Sequence, residues 1–306
     1  MWPSRRSPVR GGNNLSPLPP LRRGEGVPVP PPSHAGKACP ERSRRGARGL
    51  GLVLAAALLL AACGGSSGGE RALTVFAAAS LSDALGDAAR AFERANSGTR
   101  VTVNFANTVT LRTQLEQGAR ADVFASADEA QMALAQRSGV VAGEPAVLAT
   151  NRLAVVARAE GSKVAALEDV AKPGVRLMIV PAPIPVGVYF EDALRRMEAD
   201  PRYGGEFVRR VRANVVSQAQ NVRQATATVQ LGEADAAIAY VTDARAQGGP
   251  TLRAIPFPDG LADVARYPIA VVKASDAAEL ARRFIAFLRS PEGQGVLARH
   301  GFGSGG

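Results

Sequence analysis

From residue 71 onward, short runs of β-branched and aromatic residues alternate with longer stretches whose apolar residues recur every three or four positions. This alternation constrains the fold most, because period-two runs and 3.6-period runs bury different faces. Strands are predicted over 73–76, 101–105, 122–125, 153–157, 177–180, 236–241 and 267–272. Helices are predicted over 83–96, 111–117, 128–136, 189–197 and 222–231, with closing helices over 277–300 broken at Pro291. In the first helix Leu81, Leu85, Ala88, Ala89 and Phe92 share a face, and Gly118 and Gly139 stop the second and third. Strands alternating with helices predict an α/β fold whose sheets are mostly parallel and covered on both faces. About 235 residues exceed what one such sheet needs, so two lobes are expected. No internal repeat is visible. Ligands of such sheets sit at the carboxyl ends of the strands, where helices begin.

Hydrophobic residues make up 46% of the chain and charged residues 21%, as in folded soluble proteins. The formal charge of +10 would by itself point to an anionic macromolecule. Its location removes that reading. Residues 1–62 hold ten of the 37 bases and two of the 27 acids, a net +8, and the remainder nets only +2. A body so close to neutral has no general drive toward nucleic acid.

Residues 1–40 are rich in Pro, Gly, Ser and Arg and lack hydrophobic periodicity, which predicts disorder. A basic stretch at 42–48 then precedes a 13-residue apolar run at 50–62. This is the layout of a secretory signal, and the run is shorter than the roughly 20 residues of a membrane span. It ends Leu60-Ala61-Ala62-Cys63, which resembles the bacterial lipoprotein signal. Cys63 is therefore read as the lipidated first residue of the mature chain rather than as a buried core cysteine. Cys39 falls in the removed piece, so the mature chain has no thiol pair for a disulfide or a metal site. Residues 63–70 then form the lipidated end and a Gly/Ser tether.

Four loop-to-helix junctions carry the candidate chemistry. The first runs from Phe76 to Asp83, with small residues, Ser80 at the N-cap, and Asp83 placed to complete a capping box. The second, from Asn107 to Thr110, again offers cap-type side chains. In the third, Pro183 and Pro185 stiffen the loop and Gly187 permits close approach. The fourth is Gln220-Asn221-Val222. Each helix start has unpaired N–H groups and a positive dipole end. Several aimed at one point bind an anion without Lys or Arg. Taken alone, each junction is equally well explained as a cap or a turn.

Together these segments match a known family. Thr74-Val75-Phe76-Ala77-Ala78-Ala79-Ser80-Leu81, Ala121-Asp122-Val123-Phe124-Ala125-Ser126-Ala127-Asp128, Pro185-Val186-Gly187-Val188-Tyr189, Asn221-Val222-Arg223, Ala237-Ile238-Ala239-Tyr240 and Tyr267-Pro268-Ile269-Ala270-Val271-Val272 resemble the periplasmic molybdate-binding proteins of ABC transporters. The likeness runs from about 71 to 303. It implies a type II periplasmic binding fold, with 71–150 and 267–306 in the first lobe and 151–266 in the second. It also implies a monomer that binds molybdate or tungstate in the cleft, needs no cofactor, and delivers the anion to an inner-membrane ABC permease. By position, the implied ligand set is Ser80 through its hydroxyl and N–H, Thr108 through its hydroxyl, Val186 and Val222 through their N–H groups, and Tyr240 through its phenol. Asn107-Thr108-Val109 departs from the family's serine-rich stretch, and the segment between Met197 and Asn214 is longer. Sulfate and other tetrahedral oxyanions are the alternatives.

Two other classes are disfavoured. His300 is the only histidine after Cys63 and ends the last helix, so no acid–base constellation supports an enzyme. The effector domain of a transcription regulator would need a DNA-binding segment where this chain has a signal sequence.

Overall fold

β1 (Arg71–Ala78) shows why the chain folds in layers. Its Leu73, Val75 and Ala77 join one apolar core and Phe76 joins a second on the opposite face, as period two requires. The computed structural model describes residues 71–245 and 251–305. The leader, the apolar run, Cys63 and the tether lie outside these residues.

After β1 a 3-10 turn, Ala79–Leu81, leads into α1 (Ser82–Ala95). Then follow β2 (Thr99–Ala106), α2 (Thr108–Glu116), β3 (Val123–Ala125), α3 (Glu129–Arg137) and the long β4 (Val141–Asn151). β5 (Leu153–Arg158) starts two residues later and is followed by β6 (Leu177–Ile179), α4 (Pro185–Ala199), α5 (Gly204–Ala213), β7 (Val215–Gln218), α6 (Val222–Gln230), β8 (Ala236–Tyr240) and β9 (Leu252–Pro256). β10 (Ala265–Val272), α7 (Ala278–Arg289), α8 (Pro291–Arg299) and β11 (Gly303–Ser304) complete the described chain.

The strands form two sheets, ordered β11-β4-β10-β3-β1-β2 and β7-β6-β8-β5-β9. Both are mixed, where the alternation predicts mostly parallel strands. β1 pairs in parallel with β2 and β3, and β6 in parallel with β7 and β8. β4, β10 and β11 in one sheet, and β5 and β9 in the other, pair antiparallel. The reason lies in the connections. Parallel neighbours need a crossover helix between them. β4 instead runs almost directly into β5, and β9 returns to β10 through a loop. Each sheet keeps the same parallel triplet, second-first-third, despite the lack of sequence repeat. Pro268 sits in the central strand β10 without breaking it, because the register with β4 shifts between Tyr267 and Pro268, as proline in a central strand requires.

α5 lies in the segment that sequence periodicity left unassigned. It buries Phe207, Val208 and Val211, and Tyr203 packs on Phe207 at a centroid distance of 4.9 Å. Among the described residues no helix is long and apolar enough to cross a membrane.

Candidate functional site

Six parallel strands, three per sheet, end at the same cleft. The carboxyl ends of β1 and β2 lead to the Ala79–Leu81 turn and α2; those of β6 and β7 lead to α4 and α6. Together they enclose a small cavity lined by Ala78, Ala79, Ser80, Asn107, Thr108, Ala127, Ile184, Pro185, Val186, Asn221, Val222 and Tyr240. All five residues expected to hold a ligand are among them. The cavity volume is about 20 Å³, room for about one water molecule. None of the lining side chains is an acid or a base.

The helix starts are cut differently from the sequence expectation. Ser80 does not cap α1. It sits inside the 3-10 turn, α1 begins at Ser82, and neither Ser80 nor Asp83 forms a capping box. The extra tight turn brings the Ser80 hydroxyl 3.0 Å from the Tyr267 hydroxyl instead. Asp83 is held away from the cavity by an ion pair with Arg223 across the cleft. α2 begins at Thr108, with the Asn107 side chain accepting the Thr110 N–H at 2.8 Å. α4 begins at Pro185, four residues before the predicted start, because proline is suited to the first helical position. Val186 and Gly187 therefore stand in its first turn. The close approach at Gly187 is to the protein's own backbone: a Cβ there would lie 2.4 Å from the Pro181 carbonyl carbon. α6 begins at Val222 as predicted, with Asn221 accepting the Gln224 N–H at 3.0 Å. First-turn N–H groups such as those of Val186 and Val222 have no acceptor within their own helix.

The hydroxyls are arranged as donors. Thr108 is 1% exposed, and its Oγ1 accepts the Ala127 N–H at 3.2 Å, leaving its proton for another acceptor. Tyr240 is also 1% exposed, and among the described residues its hydroxyl has no hydrogen-bond partner. Its ring is fixed edge-on between Tyr189 and Tyr267, at centroid distances of 6.5 and 5.9 Å. Burial pushes the Tyr240 phenol well above its usual range, with the neighbouring tyrosines adding to it, so it stays a donor. Behind it, Asp243 accepts the Tyr240 backbone N–H at 2.9 Å. Burial raises the Asp243 carboxyl to about 7, opposed by that hydrogen bond and by Arg223.

Two further contacts cross the cleft. Asn107 Nδ2 donates to the Gln220 carbonyl at 3.1 Å, and Arg223 Nε donates to Ser82 Oγ at 2.6 Å. Sequence reasoning missed Tyr267 and Asn151 as neighbours of the site. The signal for Tyr267 was a hydroxyl-bearing residue in an otherwise apolar central strand. His300 ends α8 and pairs with Asp87 at 2.8 Å, and neither residue lines the cavity.

A two-lobed α/β body with a small, uncharged cavity at converging strand ends is the architecture of a solute receptor, and the chain belongs to the bacterial extracellular solute-binding proteins, whose family model matches residues 73–303. Among its relatives is the molybdate-binding protein ModA of Mycobacterium tuberculosis, 35% identical over 267 residues, spanning 83% of this chain and 97% of that protein. ModA of Escherichia coli is 33% identical over 261 residues, with the same coverage. The periplasmic molybdate-binding protein of Azotobacter vinelandii superposes with a TM-score of 0.64 at 20% identity, over 75% of this chain and 98% of that one. The sulfate-binding protein SubI of M. tuberculosis superposes at 0.67 and 20% identity, over 76% and 86%. The last two likenesses concern the fold alone.

Proposed function

We propose that this protein captures molybdate, with tungstate as a close second, outside the cytoplasm and delivers it to an ABC permease while held to the membrane through a lipid on Cys63. The observation that carries the reading is the buried Tyr240 hydroxyl, which has no hydrogen-bond partner among the described residues, on a residue that lines a cavity with Ser80 and Thr108. The ModA relatives at 33–35% identity support the choice of anion. The lipoprotein-like signal supports the anchor.

The physical logic is one of donors only. A fully deprotonated tetrahedral oxyanion has acceptor oxygens and nothing to donate. Three hydroxyls and the first-turn N–H groups of α4 and α6 match it, and the helix dipoles favour its charge. A protonated phosphate brings one donor with no acceptor to meet it, which costs about 1–3 kcal/mol. The smaller sulfate leaves donors held by two packed sheets at a longer reach. Because Ser80 and Thr108 come from one sheet's lobe, and Val186, Val222 and Tyr240 from the other, a bound anion favours the closed over the open arrangement. The closed form is what a permease would read.

Titration calorimetry of the purified protein with molybdate, tungstate, sulfate and phosphate tests the assignment. Heat with the first two and little with the others is expected. Silence with molybdate and tungstate removes the assignment, and saturation by sulfate alone transfers it to the alternative.

A further inference from the structure

Ser80 serves an anion only if its proton points into the cavity, and the groups behind it decide where that proton points. Tyr267 is wholly buried on β10. Its hydroxyl lies 3.0 Å from Ser80 Oγ and 3.5 Å from Asn151 Nδ2. The orientation of the Asn151 amide follows from its other partners. Its Oδ1 accepts the Arg152 N–H at 2.9 Å, and its Nδ2 donates to Thr242 Oγ1 at 2.8 Å. The face that Asn151 turns to Tyr267 is therefore a donor. A phenol beside a donor accepts there and must send its own proton elsewhere. Among the described residues Ser80 Oγ is the acceptor in reach. With a lone pair taken up by Tyr267, the Ser80 hydroxyl turns its proton away from β10, and the space it lines is the cavity. Burial, and the charge of Asp243, raise the Tyr267 phenol far above its ordinary range, so its proton stays in place throughout the neutral range.

We propose that Tyr267, oriented by Asn151, is a positioning residue that locks Ser80 as a donor and thereby makes the cavity reject tetrahedral anions that still carry a proton. This rests on the oxyanion reading of the cavity. A serine free to rotate could accept from a protonated anion as readily as donate to a bare one. The lock removes the first option.

The experiment is a pair of titrations, molybdate and inorganic phosphate at pH 7, on the purified wild-type protein and Tyr267→Phe. Tyr267→Phe keeps the ring between Tyr240 and Phe302, 5.9 and 5.6 Å away, and removes only the hydroxyl. Molybdate affinity should fall about five- to tenfold, as for one weakened hydrogen bond to a charge, while phosphate affinity holds or rises. The molybdate-to-phosphate ratio should narrow by about fivefold or more. Equal weakening of both anions, or no change in either, overturns the proposal, since a merely structural role leaves the ratio alone. Asn151→Asp is the second variant, read in the same way should Tyr267→Phe fail to give a cooperative melt. It puts an acceptor opposite the phenol, drawing that proton off Ser80, so the ratio should narrow again. An unchanged ratio there also refutes the lock. A wild-type protein that binds no molybdate at all overturns the underlying reading, and that outcome is distinct from both.

Discussion

Removing the Tyr240 hydroxyl should move stability and affinity in opposite directions. In the ligand-free protein the hydroxyl is buried at 1% exposure without a partner among the described residues, and an unsatisfied buried group of this kind costs about 1–3 kcal/mol. Tyr240→Phe deletes that cost and leaves the ring contacts with Tyr189 and Tyr267 intact. For a domain of this size each kcal/mol shifts the melting temperature by about 2–4 °C, so the empty variant should melt a few degrees higher than wild type. With molybdate the sign reverses. A hydrogen bond to a charged acceptor contributes about 1.5–3 kcal/mol, so the variant's Kd should rise roughly 10- to 150-fold. Differential scanning calorimetry without ligand and titration calorimetry with molybdate give the two numbers. A lower melting temperature with unchanged affinity would mean that the hydroxyl has a partner within the fold and that Tyr240 is a packing residue. That outcome would refute the donor assignment.

Other perturbations test neighbouring parts of the structure. Asp243, raised to about 7 by burial, holds its proton in the folded state at pH values where the unfolded chain has released it. Its contribution is therefore full below about pH 4 and lost as pH rises through about 7; Asp243→Asn should remove this slope in urea melts at pH 5 and 8 and stabilise the protein at pH 8 by up to roughly 4 kcal/mol. Arg223→Ala removes the contacts to Asp83 and Ser82 across the cleft, so small-angle scattering should show a more open empty form and molybdate affinity should drop a few-fold, about 1 kcal/mol. Gly187→Ala drives a methyl group into the backbone of residues 180–182, which should displace the first turn of α4 and weaken molybdate binding by more than about tenfold, with circular dichroism unchanged. Cys63→Ser should abolish labelling by radioactive fatty acid and move the protein from the membrane pellet to the soluble fraction.

The alternation of periods placed the strands that are largely buried, such as β5, β6, β8 and β10, because such burial leaves a plain apolar signature, and it missed the more exposed β4, β7 and β9. It could not reveal strand direction. β5 and β10 look like any buried strand, and only the direct passages from β4 to β5 and from β9 to β10 make them antiparallel to their neighbours. α5 escaped because its apolar residues, Phe207, Val208 and Val211, are few among six residues that are charged or glycine. At the site, Val222 was legible because Asn221 is a strong N-cap. The true start of α4 was not, because proline at 183 and 185 reads equally as a loop and as a first helical turn. The Ser80 cap was misassigned for a related reason. A serine followed three residues later by an acid is the pattern of a capping box, and the pattern does not exclude a 3-10 turn that carries the serine elsewhere. Tyr267 and Asn151 lay beyond periodicity altogether, because Tyr267 reaches Ser80 from 187 residues away in sequence and Asn151 reaches Tyr267 from 116.

That the cavity holds no charged side chain bears on release as well as capture. A receptor of this kind must open and close without its ligand. A Lys or Arg in the cavity would be buried unpaired at every empty closure, at a cost of several kcal/mol. Neutral donors avoid that penalty, and Asp83 and Arg223, which meet across the cleft, are already matched to each other. What remains unsatisfied at empty closure is neutral donors, the Tyr240 hydroxyl among them. On the proposed reading that residue is a modest bias toward the open form, and the anion removes it on binding. The hydroxyl that gives affinity thereby also couples occupancy to closure, which a permanent cation would do less well, since its cost of burial would fall on the empty state and its attraction on every passing anion alike.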